Sequence, residues 1–245
     1  MNKIIKSLLL LSLTFLFVGS IKAEECSITN NEGVEISCDF YEALREYYSD
    51  NFLSFMTQNE YDQIKNNDID DIEVITYNEE NPFISSRENG RGTYFETAYK
   101  QLRITRNGNF INANLLWVQN PVTRSYDVFG IRFYGPTIIG TPLFREYYTL
   151  NGSTHSSSNY SRKDFTNGFG ISVKLPNYSE LESDITFTYS GSGVIYASYQ
   201  HAITNVSLTQ SKKYTLSSSG YGSVLLFNTD IQPKYDNMTG VSIQG

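Results

Sequence analysis

The 245-residue chain carries 19 basic and 26 acidic residues, a formal net charge of −7, and only 18 % of its residues are charged. That balance disfavours phosphate backbones and anionic membrane surfaces, because the few basic residues do not cluster. With two cysteines and two histidines, no ligand set approaches the spacing of a zinc site.

Residues 1–23 read as a signal peptide. Lys3 and Lys6 precede an apolar run from Leu8 to Val18, too short to span a bilayer comfortably, and Ala23 offers a small residue at the cut. An uncleaved N-terminal anchor is the alternative. Cleavage removes Lys3, Lys6 and Lys22, leaving 16 basic against 26 acidic residues and a net charge of −10. Glu24 and Glu25 argue against lipidation of Cys26, and no later stretch is apolar enough to cross a membrane. The expected localisation is therefore secreted, with no membrane insertion after cleavage.

Cys26 and Cys38 are expected to pair, since an exported chain meets an oxidising compartment. Closing that loop removes roughly 3 kcal/mol of unfolded-state entropy at most. Two free thiols are the alternative. After Cys38, Asp39 as N-cap and the spacing of Phe40, Leu44 and Tyr47 predict a helix near 39–55. Thr57 and Glu60 form a capping box, with Met56 and Tyr61 placed as a hydrophobic staple, for a second helix near 57–66. Residues 24–68 thus form a disulfide-tied helical segment.

From Ile72 the period becomes two, and residues 69–245 read as one β domain. Ile72, Val74 and Thr76 mark a first strand, followed by a long loop over 78–92. A hairpin follows, from Tyr99 to Thr105 and from Phe110 to Val118, with Asn107-Gly108 as a type I′ turn. Phe129, Ile131 and Phe133 share a face, as do Phe169, Ile171, Val173 and Leu175. Ile185, Phe187 and Tyr189 precede a glycine turn into a strand from Val194 to Tyr199, and Val224 to Phe227 form a short core run. Asn151 to Asn159 reads as a polar, mobile loop. The fold class is mainly β, an antiparallel β-sandwich or jelly-roll-like fold preceded by two short α-helices, with a flattened barrel as the rival.

Catalytic signatures are sparse. His155 lies in the polar loop and His201 just past a strand, and no Gly-x-Ser-x-Gly elbow supplies a nucleophile. Paired carboxylates that hydrolyse glycosides need two acids facing each other across a cleft; Glu73, Glu96, Asp127 and Glu146 are the strand-borne candidates. Calcium is the one cofactor the acidic residues suggest: Asp68, Asp70, Asp71 and Glu73, beside Asn67, gather oxygen ligands but lack the glycine and final glutamate of an EF-hand. A solvated helix end is the alternative.

Tyrosine is abundant, 19 residues against one tryptophan. Tyr94, Tyr99, Tyr126, Tyr134, Tyr196 and Tyr199 are the candidate binding residues, because a ring with a hydroxyl suits sugars and protein partners alike. Tyr147, Tyr148 and Tyr189 also fall on strands, and simple β propensity explains such a distribution equally. Asn151, Asn159, Asn177, Asn205 and Asn237 head N-glycosylation sequons.

Residues 117–133 (WVQNPVTRSYDVFGIRF) and 235–243 (YDNMTGVSI) resemble stretches of uncharacterised exported bacterial proteins. The two stretches cover about an eighth of the mature chain, and the resemblance implies no function. Within it, Arg124 and Asp127 are placed to pair across a turn, and Arg132 lies on a polar strand face. Read as a whole, the sequence leads to the expectation of a secreted, non-enzymatic module binding a glycan or an extracellular protein. An extracellular polysaccharide hydrolase with paired carboxylates is the alternative, and a structural component of an envelope or particle surface is the third.

Overall fold

The computed structural model describes residues 26–78, 100–217, 223–236, 238 and 240–245. The leader, most of the loop over 78–92, Glu96, Tyr94, Tyr99 and Asn237 lie outside them. What is described is mainly β and antiparallel, with short helices near the N-terminus.

The N-terminal segment opens with a small hairpin, β1 (Ser27–Thr29) and β2 (Glu35–Ser37). The disulfide joins Cys26 to Cys38 beside it, with a Cα separation of 5.4 Å. Three helices follow: α1 (Cys38–Leu44), α2 (Asp50–Phe55) and α3 (Gln58–Ile64). The single helix expected over 39–55 is two, because Ser49 adopts an extended backbone and caps α2 by accepting from the Phe52 amide. Ser37, not Asp39, caps α1. The Thr57–Glu60 capping box forms as expected. Leu44, Phe52, Leu53, Met56 and Ile64 pack with Ile36 and with Phe110 of the β domain into one apolar cluster.

Two sheets make the sandwich. The six-stranded sheet orders β3 (Glu73–Asn78), β4 (Lys100–Asn107), β5 (Phe110–Trp117), β11 (Ser179–Ser190), β7 (Thr137–Leu150) and β8 (Ser153–Ser157). The five-stranded sheet orders β15 (Val241–Gln244), β12 (Val194–Gln200), β6 (Tyr126–Tyr134), β10 (Gly168–Lys174) and β9 (Ser161–Phe165). Apolar residues of alternate spacing, several of them identified in the sequence, face each other between the sheets. Leu102, Ile104, Ile111, Leu115, Ile185 and Phe187 come from one, and Phe129, Ile131, Phe169, Ile171 and Ile195 from the other.

Turn chemistry corrects two expectations. Asn107 pairs with Phe110, so the β4–β5 turn is Gly108-Asn109. Only Gly108 has positive φ there, at +57°, which is the type II′ pattern, one residue later than a type I′ Asn-Gly turn. The true Asn-Gly turn is Asn151-Gly152, with φ of 54° and 77°. It folds the supposed polar loop back as β8, paired with β7 from Leu150↔Ser153 to Glu146↔Ser157.

Both outer faces are covered. The helices lie on the six-stranded sheet. On the five-stranded sheet sit α4 (Leu208–Ser211) and a hairpin of β13 (Tyr214–Leu216) and β14 (Leu225–Phe227). Val128, Val206, Tyr214, Val224, Leu225, Phe227 and Tyr235 form the core of this cap. Gly130 and Gly170 pair across β6 and β10 and leave the trough it fills. A Cβ on Gly130 would stand 2.8 Å from Leu225 and Val224 side chains, and one on Gly170 would stand 2.2 Å from the Tyr214 hydroxyl.

Candidate functional site

Strand termini from both sheets meet at one end of the sandwich and carry most of the buried chemistry. Lys100 opens β4 opposite Trp117 at the end of β5. Asp127 lies at the start of β6, and His201 follows the end of β12. Asp127 accepts from the Tyr199 hydroxyl at 2.6 Å, from His201 Nδ1 at 2.9 Å and from the Ala202 amide at 2.8 Å. Three donors thus converge on one carboxyl group. His201 stands edge-on to Trp117, ring centroids 4.8 Å apart, and Lys100 is salt-bridged to Asp236, which also accepts the His201 amide. Burial opposes the His201 imidazolium, but the charge and hydrogen bond of Asp127 outweigh it and raise its pKa.

Glu146 projects from β7 into the same end. Its side chain is buried and its Oε1 has no hydrogen-bond partner. Burial, reinforced by the charge of Asp127 and eased by Arg124, pushes its pKa up to about 8. At neutral pH this acid is therefore protonated. Asp127 and Glu146 were both strand-borne candidates in the sequence, and the fold brings them into electrostatic contact. Asp127 is 0 % exposed and Glu146 4 %, so neither carboxyl faces solvent.

A second polar layer lies between the six-stranded sheet and the helices. Arg145 binds Glu60 of α3 at 2.7 and 2.8 Å, Asp184 at 3.3 Å and the Phe55 carbonyl at 2.9 Å. Tyr147 donates to Asp184 and Thr186 to Glu60, each at 2.6 Å. Burial acts to raise both carboxyls. Arg145, which makes its shorter bonds to Glu60, overcomes this for Glu60 and lowers its pKa, whereas that of Asp184 rises to about 6. Glu182, next on β11, is held by Ser49, by Asn51 at 2.7 Å and by Asn114 at 2.6 Å. Burial nevertheless raises its pKa.

Where this layer reaches the surface it opens into a hollow of roughly 520 Å³. Glu42, Arg45 and Glu46 wall it from α1 and the turn after it, and Ser49 and Asp50 from the start of α2. Gln101 and Arg103 of β4 and Asn114 and Leu116 of β5 form the sheet side, with Tyr48 between. Arg45 ties Asp50 at 2.8 Å and Glu42 at 3.3 Å along the rim. Nearly every wall is a hydrogen-bonding side chain, and the size suits a small ligand.

The sequence-named residues divide. Tyr134 is 67 % exposed, and Tyr196, on the neighbouring strand, lies beside Arg132 at a cation–ring distance of 5.5 Å. These two share the outer face of the five-stranded sheet; Tyr126 is at the far end of β6, and Tyr199 is buried in the core. No described tyrosine of the candidate set borders the hollow. The calcium candidates do not converge: the Asp68 carboxylate caps a turn by accepting from the Asp70 amide, and Glu73 pairs with Arg106 at 3.0 Å. Among the described residues no group of three His, Cys, Asp or Glu is placed to hold a metal. Arg124 does not pair with Asp127; it donates to the Tyr178 carbonyl at 3.1 Å, while Asp127 is taken by its own donors. His155 lies on β8 and stacks on Tyr148, which stacks in turn on Tyr178.

Sequence reasoning missed Arg103, Arg145, Glu182, Asp184 and Asp236. Each sits at a polar position of an alternating or irregular stretch, where a solvated face is the ordinary expectation. Compared with protein-family models, curated proteins and solved structures, the chain matches none.

Proposed function

We propose that the chain is an exported, non-enzymatic binding module that takes a glycan in the hollow between α1–α2 and β4–β5. The observation that carries this reading is the lining. Carboxylates, guanidinia and amides from two rigid elements converge on one open space, and such planar donors and acceptors match the hydroxyls of a sugar. Export accords with the Cys26–Cys38 disulfide, which an oxidising compartment sustains. Tyr134 and Tyr196, on another face, are a secondary surface for the same class of ligand or for a protein.

The test is a glycan array followed by titration of the best ligand against the wild type and Arg103→Ala. Binding weakened about tenfold or more, the loss of a charge-assisted hydrogen bond, is the expected result. A blank array, or a ligand bound equally well by the variant, overturns the assignment.

The hydrolase reading has one observation in its favour: a buried carboxyl, Glu146, whose pKa is pushed up to about 8 within electrostatic reach of a second acid, Asp127, as a general acid requires. Their burial weighs against it. Release of reducing ends from a bound polysaccharide, abolished by Glu146→Gln, would favour hydrolysis over simple binding.

A further inference from the structure

We propose that the ligand of this hollow is an acidic sugar, its carboxylate seated on the Arg103 guanidinium, an inference that rests on the glycan reading above. Arg103 projects from the centre of β4 toward the helices. Of its five donors, two are used, in long bonds of 3.3 Å to the Tyr47 carbonyl and 3.4 Å to Gln101. Its Nε is buried without a partner. Two other arginines of the six-stranded sheet are satisfied by carboxylates: Arg145 by Glu60 and Asp184, Arg106 by Glu73. Arg103 has none within ion-pair distance among the described residues.

Glu182 feels the Arg103 charge but makes no ion pair with it, its two oxygens being taken by Ser49, Asn51 and Asn114. A cation in this state lacks the bidentate partner its geometry suits. A planar fork of N–H donors takes a carboxylate through two parallel bonds, which neither a hydroxyl nor a neutral amide reproduces. The rim does not repel such a ligand strongly. Glu42 and Asp50 are held by Arg45, and Glu46 is exposed to solvent, where salt screens it. A hexuronate ring would place its carboxylate on Arg103 and its hydroxyls against the Gln101 amide and the rim.

The experiment is a titration of the wild-type protein with glucuronate, its neutral amide glucuronamide, and glucose, followed by NMR. Glucuronate is expected to bind at least about tenfold more tightly than either neutral sugar. Arg103→Gln should erase the difference, and Arg103→Lys, which keeps the charge but loses the fork, should retain part of it. Equal affinity of the wild type for the acid and the amide overturns the carboxylate assignment while leaving the glycan reading in place. Absence of binding by all three, together with a blank glycan array, overturns both.

Discussion

Glu146 is a carboxyl whose surroundings reverse its usual protonation state at neutral pH. Its folded pKa of about 8 lies above that of an ordinary glutamate, so between roughly pH 4.5 and 8 the folded chain keeps a proton that the unfolded chain has released. More protons bound in the folded state means stability falls as pH rises through that window and levels off above it. Glu146→Gln holds the neutral shape at every pH. Urea unfolding should therefore find the variant more stable than the wild type at pH 8, by on the order of a few kcal/mol, with the gap closing by pH 4.5. A constant difference between variant and wild type across that range would contradict the burial of an unpaired carboxyl beside Asp127. The Asp127–His201 pair differs, since each group there has a hydrogen-bond partner.

Among the elements, the strands were the legible part, because a period of two survives wherever one face meets the central core. Phe129, Ile131 and Phe133, or Phe169, Ile171 and Val173, report that face without ambiguity. The other face was misread for a physical reason. Arg145 and Tyr147 on β7, and Glu182, Asp184 and Thr186 on β11, have the alternation of a solvated surface, yet the helices roof them and each is buried. Nothing local distinguishes a polar side chain facing water from one facing a partner that arrives from residues 49–60. The hairpin at Asn151-Gly152 could have been read from its dipeptide; the run of serines after it masked the strand. The cap on the five-stranded sheet left a fainter trace, the glycines of β6 and β10. Gly170→Ala should force the Tyr214 ring aside and lower stability by about 1–3 kcal/mol, read as a lower urea midpoint at unchanged slope. A wild-type midpoint would mean that the β13–β14 hairpin does not press on that strand.

At the scale of the molecule, three apolar clusters stack in sequence: helices on the six-stranded sheet, the central core, and the C-terminal cap on the five-stranded sheet. The polar layer under the helices is the least apolar of these joints, and it reaches solvent at the hollow floored by Arg103. An array of matched buried charges orients its members, and the site at its margin inherits that rigidity from β4 and β5. The fold class was open to reading from periodicity alone. The site was not, because its walls come from α1, α2 and two strands that meet only after folding.

Hydrogen–deuterium exchange with and without an array-selected glycan tests the placement of the site most directly. Protection confined to the backbone of α1, the start of α2, β4 and β5 is the predicted result. Protection around Tyr134 and Tyr196, or at the sandwich end that holds Asp127 and His201, with none at the hollow, would contradict it.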